Sequence, residues 1–506
     1  LAEILITQDI RRGDVVIVFD PKGDADLLRR VYAEAKRAGR IKDFYLFHLG
    51  FPEVSARYNA IGSFSRITEV ATRIANQLPS EGNSAAFKEF AWRFVNIIAR
   101  ALVALGRRPD YQQIRRYIND IEPLFVEYAR EHLRRFGQEN WTTDVEEIAG
   151  KISERNLSSA LKGRDRDAIA LMRYLQAQDL YDPVLDGLVS AFKYDKTYFD
   201  KIVSSVGPLM EKLTTGKIAE LISPDYLNDD DGRPIFEWLD VIRRNGIVYV
   251  GLDALTDTTV ASAVGNSMFA DLVSVAGHIY KHGVADPADD TPTRNPTRVP
   301  TISMHADEFN ELIGDEFVPL LNKAGGAGFQ VTAYTQTWSD VEAKIGSRAK
   351  AGQVAGNFNT MIMLRVKELA TAEMLTDQLP RVEVFTLMNV SGVNDSSDPM
   401  SGIDFQSRNE DRISVSEVPM LTPAELVRLP KGQAFALLEG GRLWKVRMPL
   451  PDDSGDPAMP ADIAAIANEM ERTYITNDHW YRTRETWWHA IADTDALVTP
   501  ETGDGG

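Results

Sequence analysis

Cysteine is absent from the 506 residues, which excludes disulfides, thiolate metal sites and a cysteine nucleophile. Long apolar runs are also lacking. The longest, VNIIARALVALG at 95–106, is broken by Arg100 and falls short of the ~20 residues that a bilayer span needs. The opening residues show no signal-peptide pattern. No G-x-S-x-G elbow occurs, so a hydrolase of that type has no support. The phosphate loop G-x-x-x-x-G-K-[ST] is missing as well. Gly150-Lys151 is followed by Ile152 and Gly216-Lys217 by Ile218, and neither pair has a glycine at the required upstream spacing. Positive charge is in deficit: 56 Lys and Arg stand against 74 Asp and Glu, a net charge of −18. The surface as a whole therefore repels nucleic acid and anionic lipid, and any strand-binding patch must be local.

What is present fits an ordinary globular chain, with 44% hydrophobic and 26% charged residues. Its length suggests roughly three domains, or one large domain with an insertion. Residues 1–12 read as an amphipathic helix already under way. VVIVFD (15–20) is a β-branched apolar run suited to a strand buried on both faces. A helix at 24–40 and the strand FYLFHL (44–49) complete a βαβ pattern, so a doubly wound α/β sheet is expected. From about 64 to 222 helical spacing takes over, with a break expected near Gly207-Pro208, and strand patterns are scarce. Strand grammar returns at GIVYVGL (246–252), TISMHADE (301–308), FQVTAYTQ (329–336) and TMIMLRV (360–366). Helices are expected at 260–281, 310–323 and 338–350, and a late hairpin at 433–449 turns at Gly440-Gly441. The expected division is a first part of the sheet domain at 1–63, an inserted all-α domain at 64–222, a second part of the sheet domain at 223–450, and a linker with C-terminal helices at 451–506. The stretch 285–300 reads as a surface loop.

The strongest chemical signal is ISMHADEF. An aspartate at the end of a buried strand, here Asp307, is placed to hold Mg²⁺. A following glutamate, Glu308, is placed to take a proton from an attacking water. Acidic pairs at strand ends are also common turn and cap residues. Gln336, at the tip of the next expected strand, is a candidate phosphate sensor or simply a polar strand end. Asp20 ends the first strand and is a candidate to bear on a nucleotide site, and Lys22 beside it suits a phosphate or DNA contact, or a solvated turn. Arg365 is a candidate arginine finger, with an ordinary salt-bridged arginine as the commoner reading; Arg348 is the other candidate. His278 and His282 stand at i, i+4, a spacing that can bind metal, but no third ligand is evident and a surface role is expected. Trp480, Trp487 and Trp488 suit packing of a terminal helix or a partner face.

Four blocks in order carry a resemblance. VVIVFDPKGD (15–24) resembles the strand and DxKGD signature of conjugative coupling proteins of the TraD/TraG type. SARYNAIGSF (55–64) resembles their S-x-x-YNP element, with Ala60 in place of proline. The segment 306–346 resembles their Walker B block and following TQ strand, and GNFNTMIMLRVKELATAE (356–373) their next strand and TAE motif. The likeness spans most of residues 1–450 and is closest to the TraD subfamily of SXT-type elements. It implies a RecA-like P-loop ATPase sheet with an inserted all-α domain, ATP and Mg²⁺ as cofactors, and a homo-hexamer. The hexamer would deliver relaxase-bound single-stranded DNA to a type IV secretion channel at the bacterial inner membrane. It also implies that the membrane anchor and phosphate loop lie upstream of Leu1, so that the chain alone would be inactive.

Acidic overall composition is compatible with DNA binding if lysines and arginines line a channel, and Lys344, Arg348 and Lys350 are candidates. An FtsK-type DNA pump is a competing reading, but residues 459–494 look too short for its winged-helix domain. A non-hydrolysing docking protein for the relaxosome is the alternative from another class.

Overall fold

The computed structural model describes residues 1–78, 84–178, 180, 182–194, 196–226, 228, 231–284, 299–314, 316–395, 400, 405–449 and 455–473. The tryptophans at 480, 487 and 488 and most of the expected 285–300 loop lie outside them. The chain divides into two compact units, residues 1–334 with 453–506, and residues 335–452.

The first unit is built on a five-stranded parallel sheet in the order β2-β3-β1-β4-β5. Its strands are β1 (Val15–Asp20), β2 (Phe44–His48), β3 (Ile247–Gly251), β4 (Ile302–Ala306) and β5 (Phe329–Ala333). Every residue of β1 to β4 is buried, the pattern of strands covered on both faces. Val16 and Val18 face one layer, where α1 (Ala2–Arg12), α2 (Ala25–Arg37) and the helix Ile463–Thr473 contribute Ile6, Leu28, Tyr32 and Ile466. Phe19 faces the other layer, with its ring 4.5 Å from that of Phe269. This is the expected mostly parallel α/β sheet.

Between β2 and β3 the named elements are helical, from Thr68–Ala75 to Trp238–Arg243. The break expected at Gly207-Pro208 does not occur. One helix, Lys196–Leu213, runs through Pro208. A proline removes one helical hydrogen bond, but Val206, Met210 and Leu213 on either side are fully buried, so packing holds the turns together.

The helix Thr258–His282 is long and apolar enough to cross a membrane. Two-thirds of its apolar window is buried, and Val264, Met268 and Leu272 are core residues, so the apolar length is used for packing against the sheet. No curve of hydropathy distinguishes these two uses, because a helix enclosed by protein is apolar all round in either case.

In the second unit, β6 (Met361–Leu364) does not join the parallel sheet. It pairs antiparallel with β9 (Gln433–Leu438), which pairs in turn with β10 (Arg442–Arg447). Gly440 and Gly441 both have positive φ (82° and 73°), as the tight turn of the expected hairpin requires. An unforeseen ribbon, β7 (Arg381–Asp395) with β8 (Phe405–Pro419), stands as a separate two-stranded sheet.

Candidate functional site

Parallel register places the ends of β1 and β4 side by side, because Phe19 pairs with Ala306 and Asp20 with Gly251. The turns that leave these strands therefore meet at one edge of the sheet, where open α/β sheets bind ligands. The first turn is Asp20-Pro21-Lys22-Gly23-Asp24. Asp20 is buried and organises it: Oδ1 accepts from the backbone N of Lys22 and of Gly23, both at 2.9 Å, and Oδ2 accepts from Asp24 N at 2.6 Å. The Tyr249 hydroxyl donates to the same carboxylate. Asp20 is thus committed to backbone and tyrosine, which makes it the brace of the loop, not a free ligand. Lys22 is left half-exposed and forms an ion pair with Glu308.

The second turn differs from expectation in its start. Strand β4 stops at Ala306, and Asp307 and Glu308 form the turn itself. Asp307 N donates to Phe19 O at 2.9 Å, which ties the turn back to β1. Glu308 has φ 41° and ψ 55°, the left-handed region that a non-glycine residue enters at a cost. That conformation carries its carboxylate to Lys22. Burial pushes the Asp307 carboxyl above its ordinary range, and the nearby carboxylates of Asp20 and Glu308 push the same way. The hydrogen bond from Lys22 to Glu308 holds the Lys22 ammonium more firmly protonated than usual.

Three carboxylates thus converge with one lysine, an excess of negative charge that suits a divalent cation. Among the described residues no group of three or more His, Asp or Glu side chains has the geometry of a metal cage. Mg²⁺ does not require one, since it keeps several waters and takes one or two carboxylates together with phosphate oxygens. Asp307 fits that sparse role.

Two histidines unassigned by sequence support this edge. His305, fully buried on β4, has Nδ1 2.9 Å from the Tyr334 hydroxyl and Nε2 3.0 Å from Asp9 of α1. Burial raises the Asp9 carboxyl, but His305, Arg12 and Ser303 together outweigh it and hold Asp9 below its usual range. His48, at the end of β2, lies beneath the Lys22 loop. Its Nδ1 accepts from Gly50 N at 3.0 Å. A Cβ on Gly23 would fall 2.4 Å from His48 Nε2, so the glycine is needed for space as well as for its φ of +71°. A histidine in an otherwise apolar strand end was the available signal, but only pairing register shows what it faces.

The S-x-x-YN element, Ser55 to Asn59, is a buried joint. Tyr58 donates to Asp271 at 2.5 Å and Asn59 donates to Pro109 O at 2.9 Å. Burial pushes Asp271 up to about 6, while Arg73 at 3.2 Å pulls it down.

In the second unit, Gln336 is exposed and follows β5 by three residues, because β5 ends at Ala333 and not at Gln336. Tyr334 N donates to Ala306 O and its carbonyl accepts from Phe309 N, which turns the chain at that point. Arg365, just past β6, is exposed and has no salt-bridge partner among the described residues. Arg348 is almost fully exposed, its Nε 3.8 Å from Glu342. The helix expected at 338–350 is two helices, Trp338–Ile345 and Arg348–Ala355, separated at Gly346. The helix expected at 310–323 is likewise two, Phe309–Leu312 and Phe317–Lys323. His278 and His282 have rings 5.0 Å apart, and no third ligand joins them among the described residues.

Residues 301–431 match the family described as the TraM recognition site of TraD and TraG. No curated protein matches the chain. Among solved structures, the bacterial conjugative coupling protein TrwBdeltaN70 in its unbound form is 13% identical, covers 89% of each chain and has a TM-score of 0.44. Plasmid coupling protein TrwB in complex with ADP and Mg²⁺ is 11% identical, covers 89% of this chain and 88% of its own, and has a TM-score of 0.42. VirB4 of Thermoanaerobacter pseudethanolicus is 11% identical, covers 90% and 87%, and has a TM-score of 0.37.

Proposed function

We propose that the chain, whose residues 301–431 match the family described as the TraM recognition site of TraD and TraG, is the motor part of a conjugative coupling ATPase. The observation that carries this is the meeting of the Lys22 loop with the Asp307-Glu308 turn through the Lys22–Glu308 ion pair. On this reading Asp307 would hold Mg²⁺, which when bound neutralises charge building on the phosphate oxygens. Glu308 would accept the proton of the attacking water. Lys22 would move from Glu308 to a phosphate oxygen, freeing the carboxylate only when nucleotide is in place. Asp20 would keep the loop in shape for that exchange. Gln336 and Arg365 are proposed as phosphate sensor and as arginine finger toward a neighbouring subunit in a homo-hexamer; the exposure of Arg365, with no salt-bridge partner among the described residues, favours that role over a structural one.

The work done would be delivery of relaxase-bound single-stranded DNA to a type IV secretion channel at the inner membrane. The family description supports a contact with a relaxosome protein on residues 301–431. Measured on the full-length protein, DNA-stimulated ATP hydrolysis should fall at least 100-fold in Glu308→Gln, in keeping with loss of a general base, while nucleotide binding persists. A DNA-stimulated rate that survives the substitution would remove the assignment of Glu308. No stimulated hydrolysis in the wild type would instead favour the docking-protein reading.

A further inference from the structure

Glu308 is held in the left-handed region, with φ 41° and ψ 55°, and the short helix after it, Phe309–Leu312, has no side-chain cap. Local sequence therefore gives Glu308 little reason to keep that conformation, and the surroundings must impose it. Tyr334 does so. Its N–H donates to Ala306 O at 2.9 Å and its carbonyl accepts from Phe309 N at 2.7 Å, so its backbone closes on the residues either side of Asp307-Glu308. Tyr334 follows β5, the outer strand of the parallel sheet, whose residues are mostly only half-buried. Its side chain supplies the hold that the strand does not. The hydroxyl lies 2.9 Å from His305 Nδ1, and the two rings are nearly parallel, 10° apart with centroids at 6.1 Å. Burial, with Asp9 and Asp307 nearby, pushes that hydroxyl well above its ordinary pKa, so it keeps its proton.

His305 is anchored in turn. It is fully buried, and its pairing with Val18 puts it on the face of the sheet that α1 covers. Its Nε2 stands 3.0 Å from Asp9 Oδ2 on α1, and Arg12 holds the other oxygen of Asp9 at 2.8 Å. An ionised carboxylate only accepts, so Nε2 turns a proton toward Asp9. A hydroxyl both donates and accepts, so Tyr334 pairs with Nδ1 whether or not that nitrogen carries a proton. An aliphatic side chain would fill the same slot at less desolvation cost, so packing alone does not account for a histidine here. We propose that Tyr334 and His305 are positioning residues for Glu308: the series Asp9, His305, Tyr334 ties the strained acidic turn to α1 and sets where the Glu308 carboxylate stands for proton transfer. The consequence for hydrolysis rests on the reading of Glu308 as general base, whereas the hold on the turn stands on geometry alone.

Substitutions at the two residues separate this role from core filling. His305→Leu fills the slot and should melt at or above the wild-type temperature, because an apolar side chain replaces a buried polar one, yet it leaves Tyr334 untethered. His305→Gln can still donate toward Asp9 and accept from Tyr334. Tyr334→Phe keeps the ring and removes only the hydroxyl. Hydrogen exchange read by mass spectrometry reports on the turn without any turnover. The peptide spanning 306–310 should exchange severalfold faster in His305→Leu and Tyr334→Phe than in the wild type, with β3 unchanged, and His305→Gln should restore the slow rate. In the full-length protein the first two variants should lose roughly tenfold or more in kcat of DNA-stimulated ATP hydrolysis at an unchanged KM for ATP, with His305→Gln recovering most of the loss. Placed in the Glu308→Gln background, His305→Leu should cost nothing further. Exchange at the turn that neither His305→Leu nor Tyr334→Phe alters, or a His305→Leu enzyme as active as His305→Gln, overturns the proposal. A full-length protein without stimulated hydrolysis, or a Glu308→Gln enzyme that keeps its rate, counts against the general-base reading instead, and the exchange rates then decide the hold on the turn by themselves.

Discussion

Glu308 shows how one residue can be placed by backbone strain. A left-handed φ at a glutamate costs on the order of 1 kcal/mol or more, and it directs the side chain to Lys22 instead of along the strand. His48 is placed by burial instead. Its desolvated ring is held below its ordinary pKa, although the Gly23 carbonyl and the carboxylates of Asp253 and Asp20 pull the other way. Folding therefore favours the neutral ring. The stabilisation is complete above the unfolded-state value of about 6.5 and is lost as pH falls through the lower folded value. Thermal unfolding at pH 5 and pH 8 should show the wild type losing more stability on acidification than His48→Asn, whose Oδ1 can still accept from Gly50 N. Equal losses in both would show that His48 does not titrate on unfolding. The acidic pair itself was legible in the sequence, as was its strand. The brace formed by Tyr249 and Asp20 was not, because 229 positions separate the two residues and only the pairing of β1 with β3 brings them together.

Element boundaries followed local chemistry where that chemistry was decisive. Asp24 caps α2 by accepting from Asp26 N, and Gly440-Gly441 turn the β9/β10 hairpin as their composition requires. Local pattern misled where packing overrode it, as in the helix that continues through Pro208. It was also silent on which sheet β6 would join, since a short apolar run suits either. The ribbon went unread because alternation of apolar with polar residues on both faces leaves no buried side to recognise. Its independence makes a prediction at this scale. The core of the second unit, formed by Met363, Leu375, Leu426, Leu429 and Leu437 among others, contains no ribbon residue. Replacing residues 382–418 by a short turn, between positions that already pair across the ribbon base, should leave the melting of the full chain cooperative. Loss of the cooperative transition would mean that the ribbon is structural.

At the scale of the whole molecule, a charge of −18 must coexist with the proposed grip on a DNA strand. Lys344, Arg348 and Lys350 are exposed within one short stretch of the second unit. If all three meet phosphates, replacing them with alanine should lower the slope of log affinity against log salt by about 2 for single-stranded DNA. An unchanged slope in a fluorescence-anisotropy titration would place the strand elsewhere. The sequence by itself determined the strands of the parallel sheet, the helical stretch that follows β2, the hairpin glycines and the acidic pair, because each is written in contiguous residues as periodicity, turn chemistry or charge. Tertiary structure alone decided that Asp20 serves as a brace, that Lys22 pairs with Glu308, and that the apolar helix Thr258–His282 serves as core. These depend on strand order and register, which are set by burial summed over the whole sheet and leave no mark on any single segment.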